Sequence, residues 1–224
     1  MNPAPPFLGI DFGTFKSCMA WVPPGSDTAE IIKNAEGDDM TASVLYYGAD
    51  AEPLVGEAAE DMAGDEVEWE RVVTGIKRDL LRAAPLWIDR RRIDPVDAVA
   101  AILAKLKVDA ERGVFRGKPV TRAVITHPAL FDALQRDKLA TAARRAGFDD
   151  VELLEEPVAA ALAYERWLRQ IGEPVTPGDH ILVYDFGGGT FDLAVLARED
   201  DGSFREAMEP EGLHQRGGND LDLA

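Results

Sequence analysis

The stretch Ile181–Ala197 reads ILVYDFGGGTFDLAVLA, and the rest of the chain is organised around it. Two apolar runs flank three glycines and Thr190, a linker too short for anything but a tight turn, so the stretch predicts a β-hairpin. The glycines can take positive φ and let a ligand approach the backbone closely. Their N–H groups would then form a nest for an anion. Asp185 and Asp192, one on each arm, would hold a cation beside that anion.

This glycine turn does not match two familiar nucleotide-binding motifs. The chain has no G-x-x-x-x-G-K-[ST] sequence, and Gly187-Gly188-Gly189 fails G-x-G-x-x-G because residue 192 is Asp. A strand-like run follows the turn, so the sequence does not predict a phosphate site at a helix N-terminus either. The alternative to an anion nest is a plain hairpin end.

The same pattern occurs near the start of the chain. Leu8–Phe15 reads LGIDFGTF and leads into the apolar run Ser17–Val22. Both copies contain Asp-Phe-Gly, then Thr-Phe, then an apolar strand, and Asp11 and Asp185 are 174 residues apart (185 minus 11). This repetition predicts a duplicated lobe with a ligand held between the copies, in preference to two unrelated hairpins.

Composition and charge limit the kinds of partner. The chain has 224 residues, 46% of them hydrophobic, which is enough for one large domain or two smaller ones. Its net charge of −17 disfavours nucleic acid and anionic membranes, so a polyphosphate would have to be bound by backbone nests and Mg²⁺. We expect no nucleic-acid or membrane partner. The sequence shows no leader and no apolar run of 18 residues, and the single Cys18 suits a reducing compartment, so a cytoplasmic location is expected.

The order of predicted elements is mixed α/β, with hairpins in the sheets and crossover helices. Strands are predicted at 7–12, 17–22, 29–33, 43–47, 120–126, 151–154 and 204–208, beside the hairpin already described. Helices are predicted from Asp94-Pro95 to Gly113, over about 132–146, and from Glu155-Glu156-Pro157 to Gly172. The segments 57–63 and 67–81 are acidic and helix-capable, and Arg90-Arg91-Arg92 is interpreted as a solvated turn.

Six motifs occur in the order and near the spacing of one family. They are Ile10-Asp11-Phe12-Gly13-Thr14, Asn34-Ala35-Glu36-Gly37, Gly75-Ile76-Lys77-Arg78, Ala123–Ala129, Glu156–Tyr164 and Asp185–Asp192. Together they resemble the ATPase domain of the seventy-kilodalton heat-shock chaperones, in the actin-like ATPase superfamily, from about Phe7 to Asp222. Bacterial rod-shape actin homologues share the phosphate turns and the Glu-Pro-x-Ala-Ala-Ala helix, but Thr190–Asp192 and the Asn34–Asp38 stretch resemble the chaperones more.

The resemblance implies an actin-like ATPase fold, with a ribonuclease-H-like lobe, an inserted small subdomain, and the first hairpin of a second, incomplete lobe. Residues 1–36 and about 114–176 would form the ribonuclease-H-like part, 37–113 the insertion, and 178–224 the truncated beginning of the second lobe. Such an unfinished lobe should leave sheet edge and apolar surface exposed near Ala194–Met208. It would also lack much of the adenosine pocket, so we expect this chain alone to bind Mg-ATP weakly.

The resemblance also implies binding of ATP or ADP with Mg²⁺, and hydrolysis of ATP. Gly13, Thr14 and Phe15 would bind the phosphates from one side, and Gly187, Gly188, Gly189 and Thr190 from the other. Asp11, Asp185 and Asp192 would hold Mg²⁺, largely through its waters. The catalytic set would be Lys77, which positions the attacking water, Glu156, which orients or deprotonates it, and Asp185 and Thr190.

Some alternatives stay open. Lys77 could be a solvated lysine, and Glu156 could be an acid that only favours the helix start. Phe15-Lys16 and Asn219 depart from the family pattern, and the bulk of Phe15 bears on the phosphate geometry. The predicted function is therefore a chaperone ATPase that meets co-chaperones and client polypeptides through regions beyond this chain; the alternative is a nucleotide-sensing or partner-docking module without significant turnover.

Overall fold

A computed structural model describes residues 7–49, 52–65, 67–81, 84–213 and 218. The chain divides into two compact units, one comprising Met1–Ile125 with Ala133–Leu153 and the other Thr126–Asp132 with Leu154–Ala224. The mixed α/β class is confirmed, whereas the division into 1–36 with 114–176, 37–113 and 178–224 stays a prediction. The departure at Asn219 lies outside the described residues.

In chain order the strands are β1 (Phe7–Asp11), β2 (Lys16–Trp21), β3 (Glu30–Ile32), β4 (Met40–Ala42), β5 (Leu45–Tyr46), β6 (Leu54–Val55), β7 (Val72–Val73), β8 (Leu86–Ile88), β9 (Arg91–Ile93), β10 (Arg122–His127), β11 (Asp150–Glu155), β12 (His180–Phe186), β13 (Phe191–Arg198), β14 (Phe204–Glu206) and β15 (Glu211–Leu213). The α-helices are α1 (Glu57–Glu60), α2 (Ile76–Asp79), α3 (Pro95–Arg112), α4 (Ala133–Arg145) and α5 (Glu156–Gln170), with 3₁₀ turns at Asp61–Gly64 and Trp69–Arg71. No helix in these described ranges is both long and apolar enough to span a bilayer.

The main sheet of the first unit has the strand order β11-β10-β1-β2-β3, and β4 also pairs with β2. β1 is parallel to β10, with Phe7 opposite Arg122, and antiparallel to β2. Its alternating side chains bury Leu8 and Ile10, while α3 buries Ile102, Leu103 and Leu106. The turn that begins at Asp11 thus follows directly from a central, well-packed strand of the sheet.

The long helices begin and end at the predicted signals. The Asp94 side chain accepts a 2.9 Å hydrogen bond from the backbone N–H of Val96, Pro95 follows as the first helical residue, and Gly113 ends α3. Gly147, at φ 93°, follows α4. Because these residue types have fixed roles at helix ends, the limits of the helices can be predicted from the sequence.

Four short segments of the first unit differ from the predictions. The predicted strand 43–47 is shortened to β5 (Leu45–Tyr46), with β4 before it, and the acidic segments 57–63 and 67–81 contain only one-turn helices, 3₁₀ turns and β7. Arg90 lies in a turn as predicted, but Arg91 and Arg92 belong to β9, which pairs with β8. The hairpin forms because Ile88 and Ile93 are buried on its inner face.

The second unit is built on the predicted hairpin. β12 and β13 are antiparallel in continuous register from His180–Ala197 to Phe186–Phe191. β14 and β15 pair with the other edge of β13, so that β13 is the central strand. α5 packs on one face of this sheet, where Ala161, Ile181 and Leu196 form a buried cluster.

Exposed large apolar side chains in the second unit lie along β12 and along α5, where Leu162 and Trp167 are exposed. On β12, Leu182, Tyr184 and Phe186 are exposed, whereas Ala194 and Leu196 are buried. The expectation of an exposed edge near Ala194–Met208 is wrong for β13, but β14 is an edge strand of the described sheet and Met208 is exposed. The expectation fails for β13 because that strand is paired on both edges, which the sequence pattern did not reveal.

Candidate functional site

The two predicted phosphate turns are built in the same way. Asp11 lies opposite Cys18 across β1 and β2, and Asp185 lies opposite Asp192 across β12 and β13. Each pair encloses six residues, 12–17 and 186–191. In both hairpins the second strand is the central one. The other edge of β2 is paired by β3 and β4, and the other edge of β13 is paired by β14 and β15. The internal repeat is thus a repeat of topology as well as of residues.

Gly13 is needed for the shape of the first turn. A Cβ atom at this position would lie 2.1 Å from the backbone oxygen of Lys16, a distance that no side chain can adopt. The turn is tied to β4, because the N–H of Ser43 donates a 2.6 Å hydrogen bond to the carbonyl of Phe15. The first turn is therefore tight and is held by a hydrogen bond from the residue after β4. Neither Gly13 nor Gly187 takes a left-handed φ.

The short helix α2 places the side chain of Lys77 at this turn. The helix begins after Gly75, which has left-handed angles (φ 66°, ψ 21°) and approaches the methyl group of Thr14. Lys77 is 5% exposed, so it is not a solvated lysine. Its Nζ donates a 2.6 Å hydrogen bond to the carbonyl oxygen of Phe12, 65 residues away in the sequence. The first unit thus gathers the predicted residues Asp11, Gly13, Thr14, Phe15 and Lys77 at one turn.

The pKa of the Cys18 thiol depends on the charge of Asp11. Burial raises the pKa of the Cys18 thiol above its ordinary value, and the carboxylate of Asp11 raises it further. A backbone hydrogen bond from Asp11 acts in the opposite direction but does not prevail. The thiol that occupies the position of Asp192 in the first hairpin is therefore held in its neutral form.

The second turn is a two-residue loop. Gly187 donates a 3.0 Å backbone hydrogen bond to the carbonyl of Thr190, which leaves Gly188 and Gly189 at the tip. The carbonyl of Gly187 in turn accepts a 3.0 Å bond from the N–H of Gly218. A Cβ at Gly187 would meet only ordinary contacts, the shortest 3.5 Å, so nothing within the hairpin itself requires this glycine.

Asp185 and Asp192 place two carboxylates side by side near this turn. Asp192 is 4% exposed. Gly212, in β15, allows this packing, because a Cβ there would lie 3.0 Å from Oδ1 of Asp192 and 2.6 Å from the carbonyl oxygen of Phe191. We did not predict a role for Gly212; a glycine inside a strand is the signal that could have found it. Two carboxylates in register are a donor set that suits a hard cation such as Mg²⁺.

Glu156 is the first residue of α5, which packs on the second sheet. Oε1 of Glu165 accepts 2.7 Å hydrogen bonds from Arg169 and from Arg198, and Arg198 is at the end of β13 far from the turn. One helical turn earlier, Ala161 packs against Leu196. The C-terminal half of α5 therefore lies over the end of β13 away from the turn, and the position of Glu156 beside the turn stays a prediction.

The predicted site residues thus form two groups, one in each unit. Asp185, Gly187, Gly188, Gly189, Thr190, Asp192 and Glu156 belong to the second. Within the residues that the structure describes, no three His, Cys, Asp or Glu side chains form a group that could hold a metal ion. The Mg²⁺ ligand set of Asp11, Asp185 and Asp192 therefore stays a prediction.

Comparison with known proteins identifies the family. A family model described as Hsp70 protein matches residues 7–84 and 82–224. This chain belongs to the Hsp70 family. The chaperone protein DnaK of Thermosipho melanesiensis is 39% identical to it over 215 residues, which are 96% of this chain and 34% of that Hsp70 protein. The chain therefore spans about a third of the length of the curated relative it matches.

Proposed function

We propose that this chain is the nucleotide-binding part of a divergent Hsp70 chaperone that binds and hydrolyses Mg-ATP. The observation that carries the proposal is the position of Lys77. Its buried ammonium group contacts the carbonyl of Phe12, inside the turn that also contains Asp11, Gly13 and Thr14. A buried cation beside a glycine turn is an arrangement that phosphoryl transfer uses, because the reaction depends on positioning and charge compensation.

The two turns would bind the phosphates through backbone N–H groups. Gly13, Thr14 and Phe15 serve this role in the first turn, and Gly187, Gly188, Gly189 and Thr190 in the second. Asp185 and Asp192, with Asp11, would hold Mg²⁺ through its waters. When bound, Mg²⁺ supplies positive charge that compensates the phosphates.

Lys77 and Glu156 would share the chemical step. Lys77 stabilises negative charge at the terminal phosphate and positions the attacking water, a role for which removal of the cation costs about 10² to 10³ in rate. Glu156 orients that water or accepts its proton, at the N-terminal end of α5. Asp185 and Thr190 complete the set beside the second turn.

A second candidate function is nucleotide sensing or partner docking without significant turnover. Phe15 favours it, since a bulky residue stands in the first phosphate turn, and its carbonyl is already bonded to Ser43. Under either function, co-chaperones and client polypeptides would engage other regions of the natural protein, in the cytoplasm. The 224-residue chain by itself would bind Mg-ATP weakly.

ATP hydrolysis by the natural full-length protein tests the proposal. We expect the wild type to hydrolyse ATP in the presence of Mg²⁺ and the Asp185→Asn variant to lose most of this activity. Nucleotide binding measured by calorimetry on both proteins separates the two candidates. Tight binding with no turnover in the wild type would favour the sensing module, and neither binding nor turnover would contradict both.

A further inference from the structure

We propose that Phe12 is a positioning residue for Lys77, and that it acts through its aromatic ring as well as through its carbonyl group. The inference rests on the proposed function, because the position of Lys77 matters for hydrolysis only if Lys77 takes part in it. Nothing in the motif itself assigns this role to the side chain, which lies between the two site residues Asp11 and Gly13.

The contacts are short and fully enclosed. The Phe12 side chain is 0% exposed, and the Nζ atom of Lys77 lies 5.7 Å from the centre of its ring. The same Nζ donates a 2.6 Å hydrogen bond to the Phe12 carbonyl. One residue therefore meets the ammonium group at two different surfaces, the face of a π system and a carbonyl oxygen.

This double contact stabilises the buried ammonium group of Lys77. A buried ammonium group is costly unless polar partners replace its water, and the Phe12 carbonyl takes one of its three N–H donors. The face of an aromatic ring carries negative charge and attracts a cation within about 6 Å, most strongly where water is excluded. The ring thus adds to the stabilisation of the charge that the Phe12 carbonyl provides.

The ring also limits where the ammonium group can go. Lysine has a flexible four-carbon stem, and α2 is only one turn long. The helix is anchored by the fully buried side chains of Ile76 and Leu80, which fix the backbone but not the end of the Lys77 side chain. Packing against the Phe12 ring restrains that end of the side chain.

The chain offers a matched control for this arrangement. Phe148 is 1% exposed, and its ring centre lies 6.0 Å from the Nζ atom of Lys107, a lysine with no predicted role at the site. Phe148→Leu therefore removes the same ring from a similar buried lysine. Both leucine variants should lose comparable stability in thermal unfolding, because they lose similar buried volume.

The test compares Phe12→Leu with Phe148→Leu in the natural full-length protein. We expect Phe12→Leu to lower the single-turnover hydrolysis rate about tenfold and to change ATP affinity less than about twofold. Phe148→Leu should leave both values unchanged. Phe12→Met, which keeps most of the volume without the ring, takes the place of Phe12→Leu if that variant does not fold.

A second measurement does not depend on turnover. The rate at which an amine-specific reagent labels Lys77, followed by mass spectrometry, should rise in Phe12→Leu and stay unchanged in Phe148→Leu. If the wild type hydrolyses no ATP, the proposed function fails while the labelling still tests the position of Lys77. Equal hydrolysis and equal Lys77 labelling in both leucine variants would overturn the role of Phe12.

Discussion

Asp185 and Asp192 lie directly opposite each other across the β12–β13 hairpin, and their side chains share one face of the sheet. Directly opposite residues have Cβ atoms about 4.5–5.5 Å apart, and like charges at this distance destabilise a sheet. The first hairpin has Asp11 and Cys18 at the same two positions, which avoids this repulsion. The second hairpin therefore has an electrostatic reason to bind a cation, and the first has a weaker one.

Replacement of Asp185 by Asn should have opposite effects with and without magnesium. Without Mg²⁺ the variant should be as stable as the wild type or more stable, by up to about 1 kcal/mol, because one of two facing charges is removed. With Mg-ATP it should gain less stability than the wild type. Thermal unfolding in chelator and in Mg-ATP measures both effects, and Asp200→Asn, an exposed turn residue, is the control. Equal stabilisation of both variants by Mg-ATP would exclude Asp185 from the cation site.

Replacement of Lys77 by Ala should separate binding from hydrolysis. We expect the single-turnover rate to fall about 10²- to 10³-fold, since a preorganised cation is lost, while nucleotide affinity changes little. Lys107→Ala is the control, because Lys107 is also largely buried and forms a 2.6 Å ion pair with Glu111 outside the turns. A hydrolysis rate in Lys77→Ala equal to that of the control would remove Lys77 from the catalytic set.

The thiol of Cys18 should report on the charge of Asp11. Because burial and the Asp11 carboxylate both raise the pKa of Cys18, alkylation should be slow near neutral pH and should accelerate only well into the alkaline range. Asp11→Asn lowers the pKa of the thiol toward its ordinary value, so alkylation at a fixed pH becomes faster. Asp39→Asn should have a smaller effect, since Asp39 raises that pKa least. Equal rates in the two variants would contradict this account.

Replacement of Gly13 by Ala should disrupt the first turn. The new Cβ would lie 2.1 Å from the Lys16 carbonyl oxygen, so the backbone must shift. We expect a loss of about 1–3 kcal/mol in the free energy of unfolding, together with weaker nucleotide binding. Gly64→Ala, with no atom within 4 Å of the added Cβ, should be nearly neutral. Denaturant unfolding compares the two, and a neutral Gly13→Ala would mean that the turn is shaped differently.

Replacement of Glu165 by Gln should test the placement of α5 on the second sheet. Glu165 and Arg198 have side chains only 7% and 11% exposed, so the change leaves Arg198 without its carboxylate and should cost on the order of 3 kcal/mol. Arg169→Ala removes the other arm of the same interaction, which is 67% exposed, and should cost less than about 1 kcal/mol. If denaturant unfolding gave the same cost for both variants, α5 would not be held by this ion pair.

Those parts of the fold that depend on local signals could be predicted from the sequence. The β12–β13 hairpin follows from apolar runs around a glycine turn, and α3 from Asp94, Pro95 and Gly113 at its ends. Repetition of Asp-Phe-Gly then predicted the second copy of the turn, which β1 and β2 form. In each case a few neighbouring residues determine the conformation, so no distant contact has to be known.

Other features depend on distant contacts and could not be predicted. The hairpin of β8 and β9 and the short pieces within 57–81 are held by packing that no local pattern records. The burial of Lys77 depends on the left-handed angles of Gly75 and on contact with Phe12, 65 residues away. Gly212 likewise matters only because Asp192 packs against its backbone.

The parallel pairing of β1 with β10 has a consequence for folding during synthesis. Phe7 pairs with Arg122, 115 residues later (122 minus 7), whereas β1 meets β2 within a few residues. At translation rates of about 5–20 residues per second, one edge of β1 has to wait roughly 6 to 23 s for its partner. β1 thus spends this interval with one unpaired edge. For those seconds the nascent chain of this chaperone-family member itself exposes a strand edge that can pair with another chain and aggregate.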